Sequence, residues 1–283
     1  MRSLLLFFLI GCALSASAQS PFRLSWHKNM LTIHGNTLPG GTMPIWYIES
    51  YCRNNAHLTD WNEHTVIKHT TELVSARRDS SRLVLRCTLS DGVTVMHTIT
   101  AEADGVSFQL VARNRTNKPS EVSWAQPCVR VGAFTGLGDP KQQQTDAYLR
   151  KSFIFQNGQL ATLPTARWAT AARYTPGQVW AAPGIDSLDV NPRPFNPAPT
   201  DNGLIGCFSA DDTFLFATAW QPYHELFQGV ITCLHSDFSI GGLQPKEIKR
   251  IRGKIYIVPN DVPALLQRYA RDFPEHSRRE GIR

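Results

Sequence analysis

Apolar residues recur at every second position along most of this chain, and that period of two constrains the fold more than any other feature. Leu83, Leu85, Cys87 and Leu89 alternate with Arg82, Arg86 and Thr88. Beyond Asp91-Gly92, Val93, Val95, His97 and Ile99 alternate with Thr94, Thr98 and Thr100. Successive side chains of a strand point to opposite faces, so this pattern predicts half-buried strands, with Asp-Gly as the hairpin turn between them. Asp104-Gly105 turns the chain again into Val106, Phe108, Leu110 and Ala112 on one face, with Ser107, Gln109 and Arg113 on the other. The result is a three-stranded meander. Runs at 122–131, 152–156, 159–163, 203–209, 213–220, 229–235 and 248–258 have the same character, and Asn157-Gly158 is a further two-residue turn. Only 261–271 reads as helix: Asp261 caps it, Pro263 sits in the first turn, and Leu265, Leu266 and Tyr269 make an apolar stripe. The expected fold class is all-β, a large antiparallel β-sandwich with one short C-terminal helix.

The first residues follow a different rule. Met1-Arg2 precedes Leu4-Leu5-Leu6-Phe7-Phe8-Leu9-Ile10, an apolar stretch too short to span a bilayer. With Ala16-Ser17-Ala18 as a small-x-small cleavage pattern, residues 1–18 read as a signal peptide and Gln19 as the mature start. Leu9-Ile10-Gly11-Cys12 offers a rival reading as a lipobox, with Cys12 lipidated. The first reading places residues 19–283, as a single β-sandwich domain, in the periplasm or outside the cell. No later stretch reaches the ~20 apolar residues of a spanning helix.

Charge excludes little and directs little. The chain has 29 Lys and Arg against 23 Asp and Glu; loss of Arg2 with the leader leaves 28, a net charge of +5. Lys246, Lys249, Arg250, Arg252 and Lys254 alternate with Ile251, Ile255 and Ile257, which reads as the wet face of a strand. No aromatic residues interleave with a basic stripe, so nucleic acid is not an expected partner. Five cysteines follow the leader, Cys52, Cys87, Cys128, Cys207 and Cys233, at wide spacings and without a CxxC pair. They read as buried small hydrophobes rather than a zinc knuckle, with disulfide pairing left open. No metal-ligand spacing and no cofactor-binding motif stands out. Two stretches look like long loops: 132–148, with Lys141-Gln142-Gln143-Gln144, and 183–202, with five prolines around Asn191 and Arg193.

A family resemblance rests on two segments. Asp104-Gly105-Val106-Ser107-Phe108-Gln109-Leu110-Val111-Ala112-Arg113-Asn114-Arg115-Thr116-Asn117-Lys118-Pro119, followed by Trp124-Ala125-Gln126-Pro127, resembles the middle of the galactose mutarotase-like β-supersandwich. In that family a long strand leads to an Asn-x-[Ser/Thr]-x-x-Pro turn and the next strand carries His-Pro. Leu243-Gln244-Pro245-Lys246-Glu247 resembles the family's approach to its last strand. The resemblance implies a supersandwich with a sugar-handling concave face. It also puts Gln126 where mutarotases have a catalytic His and His235 nearest to where they have a catalytic Glu, so epimerisation by the usual pair is not expected.

Two polar clusters carry candidate chemistry. The first comprises Trp46, Tyr47, Glu49, Tyr51 and Arg53, continued by His57, Asp60, Trp61, Glu63, His64 and His69. Flat aromatic faces stack on pyranose rings and charged groups bond hydroxyls, which is the mixture a sugar site needs. On one strand, Tyr47, Glu49, Tyr51 and Arg53 would share a face. The second comprises Trp220, Tyr223, His224 and Glu225, followed by His235 and Asp237. Here His224 with Glu225, and His235 with Asp237, could supply acid and base, and Glu49 is the acid or base of the first cluster. Gln126 and Arg193 join as binding residues, Arg193 to orient hydroxyls or neutralise a uronate. His97, in an apolar row, reads as a hydrogen-bonded core residue. The expected function is an exported carbohydrate-active protein, a lyase or hydrolase of a glycan; the alternative is a non-catalytic carbohydrate-binding or surface-assembly module. Both clusters are expected to converge on one open concave face.

Overall fold

The computed structural model describes residues 20–54, 60–137, 147–165, 177–229 and 231–277. Residues 1–18, the expected signal peptide with Cys12, and also Gln19, His57 and Lys141 to Gln144 lie outside the described residues. The strands in chain order are β1 (Phe22–His27), β2 (Met30–Gly35), β3 (Thr42–Arg53), β4 (Val66–Ile67), β5 (His69–Ala76), β6 (Arg82–Leu89), β7 (Val93–Glu102), β8 (Gly105–Asn114) and β9 (Val122–Arg130). After them come β10 (Ser152–Gln156), β11 (Gln159–Thr162), β12 (Val179–Ala181), β13 (Ile205–Phe208), β14 (Phe214–Gln221), β15 (Tyr223–Gln228), β16 (Cys233–Ser239) and β17 (Ile248–Pro259). Helices α1 (Gly132–Thr135), α2 (Val262–Asp272) and α3 (Pro274–Ser277) are short.

These strands build two antiparallel sheets. One has the order β1, β2, β3, β9, β16, β15, β12, with β4 added to β3; the other runs β11, β10, β13, β14, β17, β8, β7, β6, β5. The meander forms as its alternation demands, with Leu85 opposite His97 and His97 opposite Leu110. Leu83, Leu85, Leu89, Val95, Ile99, Phe108 and Leu110 are buried while Arg82 and Arg86 face solvent. Gly105, with φ +147°, is required at the meander's second turn, because a Cβ there would stand 1.9 Å from the Ile255 carbonyl oxygen.

Between the sheets, Phe108 packs on Tyr47 at 5.6 Å and on Trp220 at 5.1 Å, and Trp220 on Phe238 at 4.8 Å. Each such side chain contributes about 1.5–3 kcal/mol by leaving water. Helix α2 covers the far side of the nine-stranded sheet, where Leu265 and Tyr269 pack in a cluster with Leu215, Ala217, Ala219 and Val258. Its start is as expected, the Asp261 carboxylate accepting from the Ala264 N–H at 2.9 Å.

Some expectations shift. The expected strand at 229–235 is strand only from Cys233: β15 ends at Gln228 and β16 begins at Cys233. The alternation of His235 and Asp237 therefore continues into a strand reaching Ser239. Strands β1, β2, β4, β5, β12 and β15 have no counterpart among the expected runs. Lys254 leaves the wet face of β17: it is 7% exposed and pairs with Glu102 and, at 2.9 Å, with Asp104. All five described cysteines are buried free thiols.

Candidate functional site

Four neighbouring strands, β3, β9, β16 and β15, bring the polar residues together on the outer face of the eight-stranded sheet. In β16 the alternation turns Leu234 and Phe238 into the core, so Cys233, His235 and Asp237 take the opposite, outer face. Register aligns the rest: Glu225 lies opposite Asp237, Phe227 opposite His235, Ser50 opposite Gln126 and Trp46 opposite Cys128.

Two register shifts change what faces outward. The first lies between Trp46 and Ser50, and Glu49 emerges beside Cys128, Arg130, Cys233 and His235. The second lies between Tyr223 and Glu225, and it sets His224 beside Glu225. His224 stacks on Trp124, with ring centroids 4.8 Å apart and planes 10° from parallel.

Most of this face is covered. His224, Glu225, His235, Asp237, Gln126 and Ser50 are all buried, and segment 183–202 supplies part of the cover. Its Asn191 N–H donates to both Glu225 carboxylate oxygens at 3.0 Å, and Asp189 stands 3.8 Å from His224 Nε2. Glu225 Oε2 lies 3.2 Å from His224 Nδ1. In the second constellation His235 Nδ1 is 3.3 Å from Asp237 Oδ1, its Nε2 is 3.6 Å from Cys233 Sγ, and Phe227 stacks on the ring at 4.1 Å. Ser50 Oγ donates to Gln126 Oε1 at 2.7 Å, and Arg193 donates to the Gly229 carbonyl at 3.1 Å.

The electrostatics follow from burial set against close partners. Burial pulls His224 down, but the neighbouring carboxylates of Asp189 and Glu225 outweigh it and raise the imidazole to about 9. His235 is pulled down by burial and raised further by Asp237 and Cys233. Burial raises Asp237 and Glu49 above the usual carboxylate range. Such an arrangement can hold protons on buried imidazoles, and Glu49, half-buried, is its ionisable edge towards solvent.

Several expected site residues go elsewhere. Tyr47, Tyr51 and Trp220 point between the sheets and belong to the core, so they cannot stack on a ligand at the outer face. The shift in β3 separates Tyr47 and Tyr51 from Glu49, which overturns the shared face expected of that strand. Tyr223, the first residue of β15, packs against the core, by Gly203 and 5.7 Å from His276. Arg53 lies at the edge of β3, bonding the Val66 carbonyl and, at 3.3 Å, Glu121. Trp61 packs by Trp124, 5.9 Å away, and exposed His64 faces Asp60 at 3.7 Å. The open concave face is also corrected: the histidines and carboxylates converge, but under cover.

Sequence reading passed over Trp124, Cys128, Arg130, Asp189 and Phe227, all of which touch this constellation. Cys233 and His235 share the i, i+2 spacing that already paired His235 with Asp237; extending it one step back would have found the thiol. A separate cleft of 520 Å³, lined by Arg150, Lys151, Thr162, Phe208, Asp212 and Asn260, contains none of the expected site residues.

No family model matches this chain, and no curated protein sequence matches it. Several solved structures are similar to it. The Slr1438 protein from Synechocystis sp. PCC 6803 is 10% identical with a TM-score of 0.43, over 89% of this chain and 99% of that one. A galactose mutarotase-like protein from Clostridium acetobutylicum is 12% identical with a TM-score of 0.41, over 79% and 81%. A galactose mutarotase-like protein from Lactobacillus casei ATCC 334 is 9% identical with a TM-score of 0.40, over 83% and 99%. The last two are of the group that segments 104–127 and 243–247 resemble in sequence.

Proposed function

We propose that this chain is an exported protein that binds a carbohydrate at the outer face of its eight-stranded sheet, over Trp46 and Glu49. One observation carries the reading. Trp46 is 39% exposed on that face, with the Arg130 guanidinium 6.0 Å from its ring centre and half-buried Glu49 on the same strand. An exposed indole gives a sugar ring a flat apolar partner, while a guanidinium and a carboxyl bond its hydroxyls. The resemblance of 104–127 and 243–247 to galactose mutarotase-like sequences supports the same ligand class.

A second reading, turnover of a glycan as a lyase or hydrolase, is favoured by Glu49, the carboxyl of this face that a ligand can reach. The covered pairs His224–Glu225 and His235–Asp237 then position neighbours rather than touch substrate. The test is a glycan panel against the purified protein, recording binding and the appearance of new reducing or unsaturated ends. Binding without new ends selects the module; new ends lost in Glu49→Gln select the enzyme. A protein that binds no member of the panel, acidic glycans included, removes both.

A further inference from the structure

We infer that Cys128, Cys233 and His235 form a binding site for a divalent transition-metal ion of the zinc class. One ligand atom from each, two sulfurs and an imidazole nitrogen, lies within 4.8 Å of the others. All three side chains are sequestered, at 3%, 1% and 3% exposure. Two thiolates and an imidazole are the donors that borderline-soft cations select over calcium or magnesium.

Three features make this a built site rather than a chance meeting of thiols. The first is spacing. In a tetrahedral zinc centre with ordinary bond lengths, the sulfur-to-nitrogen edge is about 3.6 Å. Cys233 Sγ and His235 Nε2 stand 3.6 Å apart. Strand geometry supplies this: alternation puts Cys233 and His235 on one face of β16, and Cys128 comes from β9, one step along from the Val129–Leu234 pair.

The second is the orientation of the ring. His235 turns Nε2 to the sulfur and Nδ1 to the Asp237 carboxylate at 3.3 Å, while Phe227 stacks on its face. A carboxylate behind a metal-binding imidazole fixes the tautomer that leaves the other nitrogen free to ligate.

The third is the balance of charge and the closeness of the cover. A dication offsets the charge of the two thiolates that form when it displaces their protons. Half-buried Glu49 lies beside all three side chains. At Gly229 the backbone passes so close that a Cβ would lie 2.0 Å from Cys233 Sγ and 3.3 Å from His235 Nε2. The same burial argues against Cys233 as a nucleophile, since no substrate carbon reaches a sulfur so covered. The inference does not depend on the carbohydrate reading.

The test uses the full chain, purified in reductant and shown to be folded by its cooperative melt. Bound zinc is measured after dialysis, and the metal-free protein is titrated with cobalt(II). Retention of about one zinc per chain, and thiolate-to-cobalt charge-transfer absorption with tetrahedral ligand-field bands, are expected. Cys128→Ser, Cys233→Ser and His235→Ala should each abolish the charge-transfer signal or weaken cobalt binding at least tenfold, whereas Cys207→Ser should not. Asp237→Asn should weaken it by about 10- to 100-fold with the spectrum otherwise unchanged. Folded wild type that holds neither ion at micromolar concentration overturns the inference. So does cobalt bound without a thiolate band, binding unaffected by Cys128→Ser, or a Cys128–Cys233 disulfide in protein kept reduced.

Discussion

Tyr47 and His97 meet across the interior of the sandwich, Tyr47 Oη lying 2.7 Å from His97 Nδ1, and Tyr51 takes the other ring nitrogen at 2.9 Å. A neutral imidazole has one N–H and one bare nitrogen, so one tyrosine donates to the ring and the other accepts from it. The three side chains satisfy one another in a space that holds no other polar partner for the ring among the described contacts. Buried polar groups are retained in a core only when paired in this way.

Removing either hydroxyl leaves a buried ring nitrogen without its partner. Tyr47→Phe and Tyr51→Phe are each expected to lower stability by about 1–3 kcal/mol, and the double variant by less than the sum of the two. Urea melts at neutral pH measure this. Two variants with wild-type midpoints would mean that water replaces the hydroxyls and the core is looser than its packing indicates.

Acid should unfold this protein partly through His97. Burial, with a smaller contribution from His69, lowers its pKa from the ordinary value to about 3, whereas an unfolded histidine titrates near 6.5. Between these values the unfolded chain binds one more proton, so stability rises with pH across that window. The contribution is complete above about pH 6.5 and is lost at up to ~1.4 kcal/mol per pH unit as pH falls towards 3. Denaturant midpoints from pH 7 to 4 should show a shallower decline in His97→Gln than in wild type. Nuclear magnetic resonance of the wild-type ring should still report a neutral imidazole at pH 5, and a protonated one there would falsify the assignment.

Glu225 is a structural carboxylate first. It accepts two bonds from the Asn191 N–H and neighbours a buried imidazole held protonated to about 9. Glu225→Ala should therefore lower stability by about 3–5 kcal/mol, because it leaves His224 with less compensation for its buried charge. Glu225→Gln should lower it by less. The thermal midpoint decides: one unmoved in Glu225→Ala would return this residue to the role of an exposed cleft carboxylate.

Trp46 should behave in the opposite way. Being well exposed, it contributes little to the core, and Trp46→Ala should change stability by less than about 1 kcal/mol. Loss of the ring should weaken binding of a carbohydrate ligand by about tenfold, the worth of one aromatic contact. Equal titration curves for variant and wild type would take the platform off Trp46.

The sequence by itself determined the sheets of the meander and the helix behind them. The alternation through 82–113 and the Asp-Gly turns are local: the direction of each side chain follows from the backbone of its own strand, and Asp261 caps 262–272 through a bond three residues away. His97 was legible as a core residue for the same reason, by its place in an apolar row. Tertiary structure alone decided the site. A register shift against β9, not any property of residues 46–50, sends Glu49 outward and keeps Tyr47 and Tyr51 within, and nothing in a strand's own residues encodes its neighbour's offset. Cover from segment 183–202 buries His224 and Glu225, which from sequence resemble an exposed acid–base pair. Cys128 finds Cys233 and His235 only because β9 and β16 lie side by side, and proximity between strands is fixed by how the whole sheet is ordered.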